Sequence, residues 1–138
     1  MGTLQEGLEL DQYGKVYIML GINDCTDKDD QLDKFLTPMK QIIEMIQETQ
    51  PNAEIYLLSL APVGRQTPNN ICYSLKNVVL FTQAVKSLAR EYNTEYLDVF
   101  RLMADKNGYI LDEYNAGDGI HIDAHHYDEI LEFLKCHT

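Results

Sequence analysis

The segment Lys15-Val16-Tyr17-Ile18-Met19-Leu20-Gly21-Ile22-Asn23-Asp24 decides how this chain folds. Its first part, KVYIML, is apolar on both faces of an extended chain, as a strand buried inside a parallel sheet should be. Its last part, GIND, is a turn sequence. Similar units recur downstream. Glu54 to Leu60 (EIYLLSL) reads as a second strand, closed by Ala61-Pro62-Val63-Gly64 and followed by a loop through Asn70. Glu95 to Val99 (EYLDV) reads as a short third strand.

Helical patterns separate these strands. Leu32, Phe35, Leu36, Met39, Ile42, Ile43 and Ile46 recur at three- and four-residue spacing and share one face. Pro38 lies off that face: either the helix kinks there, or Thr37 caps a second segment with Pro38 in its first turn. Pro51-Asn52 ends this helix. A second helix carries Val78, Phe81, Val85, Leu88, Ala89 and Tyr92 on one face. A loop of roughly twenty residues runs from the third strand to Ile122, a length that points to function. A last helix spans Ala124 to about Lys135, with Asp123 as N-cap and Tyr127, Ile130, Leu131 and Leu134 facing inward.

Strands joined by crossover helices imply a parallel sheet with right-handed connections. Ligands of such sheets bind at the carboxyl ends of the strands. Gly21 to Asp24 falls there, and so does Asp118-Gly119-Ile120-His121 in the loop after the third strand.

Composition narrows the function classes. The chain has 138 residues, 45% hydrophobic and 24% charged, with 8 glycines and 4 prolines. These values suit one globular domain over residues 1–138 and exclude collagen, a coiled coil or a disordered tail. Eleven basic against 22 acidic residues give a net charge of -11. Such a surface repels phosphate backbones and anionic lipid, so neither nucleic acid nor a membrane surface is expected as partner. Asp27, Asp29 and Asp30 read as a solvated loop and helix start, because a calcium loop needs regularly spaced ligands and its turn glycine. Cys25, Cys72 and Cys136 are odd in number and lack CxxC spacing. They read as thiols of a reducing compartment, which makes the expected location cytoplasmic. No apolar stretch reaches the roughly 20 residues of a membrane span, and Met1 to Asp11 lacks the regions of a signal peptide.

In Asp118-Gly119-Ile120-His121 the carboxylate can fold back onto the imidazole and fix its tautomer. The other ring nitrogen is then free to take a proton from a nucleophile. Taken alone, the motif also fits a surface turn whose histidine caps the last helix. In Gly21-Ile22-Asn23-Asp24 the glycine permits a sharp turn, and Asn23 can offer its side-chain amide to an oxyanion. Taken alone, it also fits an Asn-Asp turn ending a strand.

Together the segments say more. GIND after YIML, PNAEIYLLSLAPV, and DGIHID before a terminal helix match in order and spacing. With them the chain, from about Lys15 to its end, resembles the SGNH (GDSL-type) hydrolases. The resemblance implies a three-layer α/β/α sandwich on a parallel sheet of flavodoxin-like order. It implies hydrolysis of a small-molecule ester by a Ser-His-Asp triad with no metal or organic cofactor. His121 then matches the general base and Asp118 the residue that orients it. Asn23 matches the oxyanion asparagine, Gly21 the glycine that lets the loop turn, and Asp24 a structural neighbour that braces the loop.

The chain departs from the family where it matters most. No Gly-Asp-Ser nucleophile motif occurs, and the fourteen residues before Lys15 cannot supply two strands and a helix. Gly7 is a weak match for the oxyanion glycine. His126 stands where the family usually has glycine. Ser59, Ser74 and Ser87 read as structural. Cys25, next to Asp24 and Asp27, reads as an inert thiol, because acidic surroundings oppose a thiolate. His121, His125 and His126 invite a zinc site, but no cysteine or second histidine cluster completes one.

The expectation is therefore a domain lacking its N-terminal strands and inactive alone. A non-catalytic pseudoenzyme or interaction domain of the same fold is the alternative. A generic receiver-like domain would leave DGIH without a role. An apolar edge strand at Lys15 to Leu20 should also seek a partner and drive homo-oligomerisation. Tyr109, Leu111, Tyr114 and Asn115 either line a substrate pocket or pack within their own loop.

Overall fold

The computed structural model describes residues 2–26, 28, 30–66 and 73–138. Asp27, Asp29, Cys72 and the expected loop end at Asn70 lie outside the described residues. Three parallel strands form the sheet: β1 (Lys15–Ile18), β2 (Glu54–Leu58) and β3 (Glu95–Leu97), in that spatial order. Lys15 pairs with Glu54 and Ile18 with Leu57; Tyr56 pairs with Glu95 and Leu58 with Leu97. Each strand is shorter than its apolar run, because β2 can pair only where a neighbour is in register.

The alternation of β2 divides the core. Ile55 and Leu57 face one cluster, built with Phe35, Met39, Ile43 and Ile46 of α2 (Gln31–Thr49) and Val78, Phe81, Val85 and Leu88 of α3 (Leu75–Glu91). Tyr56 and Leu58 face the other, built with Val99, Met103, Ile110, Tyr114 and Ile130. Helices cover both faces, which makes the α/β/α layering real.

Several expectations need correction. α2 runs unbroken through Pro38, which neither starts a second segment nor reaches the buried face. Before β1 lies a helix the periodicity did not announce, α1 (Leu4–Glu9). A capping box starts it: Thr3 Oγ1 accepts the Glu6 N–H, and Glu6 accepts the Thr3 N–H. Gln50, buried at the end of α2, anchors the connection that follows. Its amide donates to the Leu8 and Asp11 carbonyls and accepts the Tyr13 N–H.

The long stretch after β3 is also structured. It holds α4 (Phe100–Met103), a 3-10 turn at Asp112–Tyr114 and the antiparallel bridges Ala104–Ile110 and Asn115–Ile122. The terminal helix begins as a 3-10 turn at Ala124–His126, capped by Asp123 as expected, and continues as α5 (Tyr127–His137). Only part of its expected inner face is covered. Ile130 is buried and Phe133 and Leu134 pack beside it, whereas Tyr127 and Leu131 are exposed.

β1 also differs from its reading as a strand buried on both faces. Ile18 is buried, Val16 half-buried, and Lys15 and Tyr17 are exposed. β1 is an edge of the described sheet, and at the surface Tyr17 stacks on Tyr56 while its hydroxyl meets Thr138 Oγ1 at 2.7 Å.

Candidate active site

His121 and Asp118 sit on a hairpin at the carboxyl end of the sheet. Its arms are residues 114–116 and 121–123, joined by the Ala116 N–H to His121 carbonyl and Asp123 N–H to Tyr114 carbonyl bonds. At its tip the backbone turns through glycines with positive φ, Gly117 at 101° and Gly119 at 74°. The tip docks on the loop after β2, where the Gly64 N–H donates to the Gly119 carbonyl at 2.7 Å. Contact is so close that a Cβ on Gly119 would lie 2.2 Å from the Gln66 carbonyl oxygen. Neither glycine's role is legible in the sequence, since Gly64 and Gly119 meet across a long separation in the chain.

The tip folds Asp118 back onto His121. One carboxylate oxygen, Oδ1, accepts the Ile120 and His121 N–H groups at 2.9 Å each. The other, Oδ2, lies 2.5 Å from His121 Nδ1. The His121 side chain and these backbone donors hold the Asp118 carboxyl well below its ordinary range, down to about 2. Ionised Asp118 can only accept, so Nδ1 carries the proton and donates it. In the neutral imidazole Nε2 is then the nitrogen without a proton. The imidazole is 71% exposed, and Nε2 has no protein partner among the described residues. A base with a fixed tautomer and an open lone pair results.

A second carboxylate–imidazole contact lies nearby. Asp123 Oδ1 accepts the His125 N–H and lies 2.7 Å from His125 Nδ1. Those bonds, the backbone one foremost, lower the Asp123 pKa and cap the terminal helix. Deeper in the hairpin the Tyr114 hydroxyl donates to Glu129 at 2.6 Å, which pushes its own pKa up to about 12. His126 Nδ1 lies 3.0 Å from the other Glu129 oxygen, and its ring is 4.9 Å from that of Tyr114. Tyr114 is therefore a core residue rather than a pocket wall. Tyr109, Leu111 and Asn115 do line a cleft of about 510 Å³ beside the hairpin. Arg65 lies over the Tyr109 ring there and pairs with Asp105 at 2.9 Å.

The oxyanion candidate comes from the other side of the sheet end. Gly21, at φ 116°, opens a 3-10 turn at Ile22–Asp24 and puts its backbone against the Phe35 ring. Asn23 is exposed, and its amide makes no hydrogen bond with a described residue. Asp24 is half-buried; its charge, after burial and Cys25, raises the pKa of Tyr73. The GIND turn and the hairpin meet across a small apolar cavity of about 130 Å³, lined by Met19, Leu20, Ile22, Leu60, Ile120 and Ile122. The structure thus brings both sequence-predicted segments to one place. A larger cleft, about 670 Å³, lies at the opposite ends of the strands and touches none of these residues.

Residues 2–128 match the GDSL-like lipase/acylhydrolase family. This chain belongs to that family. No curated protein matches it. Among solved structures it is similar to a protein of Streptococcus pneumonia described as a platelet activating factor. There the identity is 30%, the TM-score 0.77, and the match covers 89% of this chain and 58% of that one. A GDSL-like lipase from Bacteroides thetaiotaomicron is 17% identical with a TM-score of 0.71, over 88% of this chain and 60% of that one. A peptidoglycan O-acetylesterase is 17% identical with a TM-score of 0.73, over 94% and 38%. The chain spans less than two thirds of the length of each.

The remaining candidates are accounted for by local structure. The sequence has three serines, Ser59, Ser74 and Ser87. Ser59 is fully buried, and its hydroxyl accepts the Phe100 N–H. Ser74 caps α3, and Ser87 donates to the Gln83 carbonyl. Cys25 is fully buried in the first core cluster. No group of three or more His, Cys, Asp or Glu among the described residues could hold a metal ion. No described helix is long and apolar enough to cross a membrane.

Proposed function

We propose that this chain carries the base, the orienting carboxylate and one oxyanion donor of a serine-dependent carboxylic ester hydrolase, and that its nucleophile lies outside these residues. The observation that carries this reading is the Asp118–His121 pair, with Nδ1 committed and Nε2 open to solvent. Family membership supports ester hydrolysis as the chemistry.

The proposed reaction runs in two halves. A serine hydroxyl attacks the ester carbonyl while His121 Nε2 takes its proton. Asp118 stabilises the imidazolium, and the Asn23 amide donates to the developing oxyanion. His121 then protonates the leaving alcohol, and water resolves the acyl-enzyme by the same route in reverse. Each serine hydroxyl of this chain is already engaged elsewhere, so the chain alone is inactive.

A short-chain aryl ester tests this. The 138-residue chain is expected to show no turnover that depends on His121. Fusion of a strand ending in Gly-Asp-Ser ahead of Met1 is expected to create turnover that His121→Ala removes. Turnover by the unfused chain that disappears in His121→Ala would overturn the reading. A fused protein that folds but stays inert would favour the non-catalytic alternative.

The reading extends to partners and setting. We propose that isolated copies pair through the open edge of β1. Leu4, Leu10, Tyr13, Tyr17 and Leu20 are exposed in this part of the chain, and Leu4, Tyr13 and Tyr17 line a cleft of about 370 Å³ against it. A second copy offers the same strand and the same apolar rim, so a two-fold axis makes the surface self-complementary. We propose a reducing, cytoplasmic setting, on the odd number of cysteines and their lack of CxxC spacing.

A further inference from the structure

We infer that Asn115 is the positioning residue of the Asp118–His121 pair. The inference rests on the reading of His121 as the base, and it adds a residue that touches neither the imidazole nor the carboxylate.

Asn115 Oδ1 accepts two backbone N–H groups, from Gly117 and from Gly119, at 2.9 Å each. These peptides flank Asp118. One side-chain oxygen therefore fixes the backbone on both sides of the residue that orients the base. Both Asn115 partners are donors, so the oxygen, not the nitrogen, must face them. Asn115 is itself fixed: it bridges Ile122 across the hairpin, and its N–H donates to the Asp112 carbonyl at 3.2 Å.

The tip needs this acceptor. Gly117 and Gly119 both hold positive φ, and Gly119 is wedged against the Gln66 carbonyl. Without Asn115 Oδ1 the buried Gly119 N–H and the exposed Gly117 N–H lose their acceptor. The direction of the Asp118 side chain is then free to drift. Position passes in sequence: Asn115 holds peptides 117 and 119, those peptides aim Asp118, and Asp118 holds Nδ1 of His121.

Two measurements on the 138-residue chain test this without any substrate, so they stand or fall separately from ester turnover. The first reads the ring nitrogens of His121 by long-range proton–nitrogen correlation through the carbon-bound ring protons, at about pH 9, where a free imidazole is neutral. The native chain is expected to show the Nδ1–H tautomer as the main species. Asn115→Leu keeps the size and removes the acceptor; it is expected to lose that dominance while unfolding stays cooperative. Asn115→Asp restores an acceptor oxygen and is expected to recover it. Tyr114→Phe, which cuts the Glu129 bond at the hairpin base, is expected to lower stability and leave the tautomer alone. Native-like ring shifts in Asn115→Leu, or an equal change in Tyr114→Phe, would overturn the inference.

The second measurement holds even if Asn115→Leu does not fold. In the native chain the Gly117 and Gly119 amides are expected to exchange with deuterium more slowly than in an unstructured peptide of the same sequence. Exchange at the peptide rate would remove the basis of the inference.

Discussion

The two halves of the candidate site are built by different means. The hairpin carrying Asp118 and His121 is fixed from within. Its arms bond to each other, its tip bonds to Asn115 and to the loop after β2, and its base is tied to α5 through Tyr114, Glu129 and His126. The GIND turn is held by its own 3-10 bonds, at 3.1 and 3.2 Å, by the contact of Gly21 with Phe35 and by Ile22 packed against the first core cluster. It also follows a strand whose outer side is open. One half of the site is preorganised by this chain. The other is held mainly by apolar packing.

The sharpest way to break this contrast is to compare the glycines. Gly119→Ala puts a methyl group 2.2 Å from a backbone carbonyl, which cannot swing away, at a φ of 74°. The expected loss exceeds about 3 kcal/mol, adding left-handed strain to a backbone clash. Gly21→Ala meets the edge of the Phe35 ring at 2.8 Å with φ 116°. A ring can shift, so strain dominates and the expected loss is about 1–3 kcal/mol. Chemical denaturation of both variants measures the order. A Gly119→Ala chain as stable as Gly21→Ala would show that the hairpin is not the over-determined half.

The open edge can be tested by association. Light scattering of the native chain is expected to give a dimer, and Tyr17→Lys with Leu20→Lys a monomer. Lysine on an edge strand carries its charge into any strand pairing. The expected weakening is at least tenfold, about 1.4 kcal/mol. A native chain that stays monomeric at high concentration would mean that α1 and its connector already protect the edge.

Acid should loosen the hairpin first. The Asp118 carboxyl, held by His121 and two backbone N–H groups, has its pKa lowered in the folded chain to about 2 from an ordinary 3.8. A depressed carboxyl pKa contributes stability that is fully present above the unfolded value and disappears as pH falls through the folded one. The window is thus about pH 4 down to about 2. Because the Asp118 side chain is 40% exposed, solvent screening keeps the effect small. Denaturation midpoints of the native chain and Asp118→Asn are expected to converge across that window. A difference that stays constant would assign the acid sensitivity to another carboxylate.

The same contrast explains what could be read in the sequence. A strand buried in a parallel sheet writes a long apolar run, so β2 was visible, β1 was visible by its apolar run although it is half exposed, and DGIH was visible because Asp118 and His121 are local partners. Contacts between distant residues leave no such trace. Nothing near Gly64 or Gly119 says that they touch, and Tyr114 looks like any loop aromatic until Glu129 is placed beside it. Asn115 was visible only as a polar loop residue. Two misses did have signals. The Thr3-x-x-Glu6 capping box announces α1, and Phe100, Leu102 and Met103 make the start of the long loop too apolar to be structureless. The exposure of Tyr17, Tyr127 and Leu131 could not be read from periodicity, which says that residues share a face and not whether anything covers it.

The smallest expected effect is the most informative about the division of the site. Asn23 is exposed and its amide bonds no described residue, so Asn23→Ala should change stability by no more than about 0.5 kcal/mol. Asn115 is half-buried and its oxygen accepts two backbone N–H groups, so Asn115→Leu should cost more, since two donors lose their acceptor. If Asn23 is an oxyanion donor, its loss should be silent in the unfolding curve and appear only in turnover by the fused, serine-bearing protein, where a missing donor slows the chemical step by about 10²–10³-fold. A stability loss in Asn23→Ala comparable to that of Asn115→Leu would mean that the amide braces the turn. The oxyanion role would then have to pass to backbone N–H groups of the GIND segment.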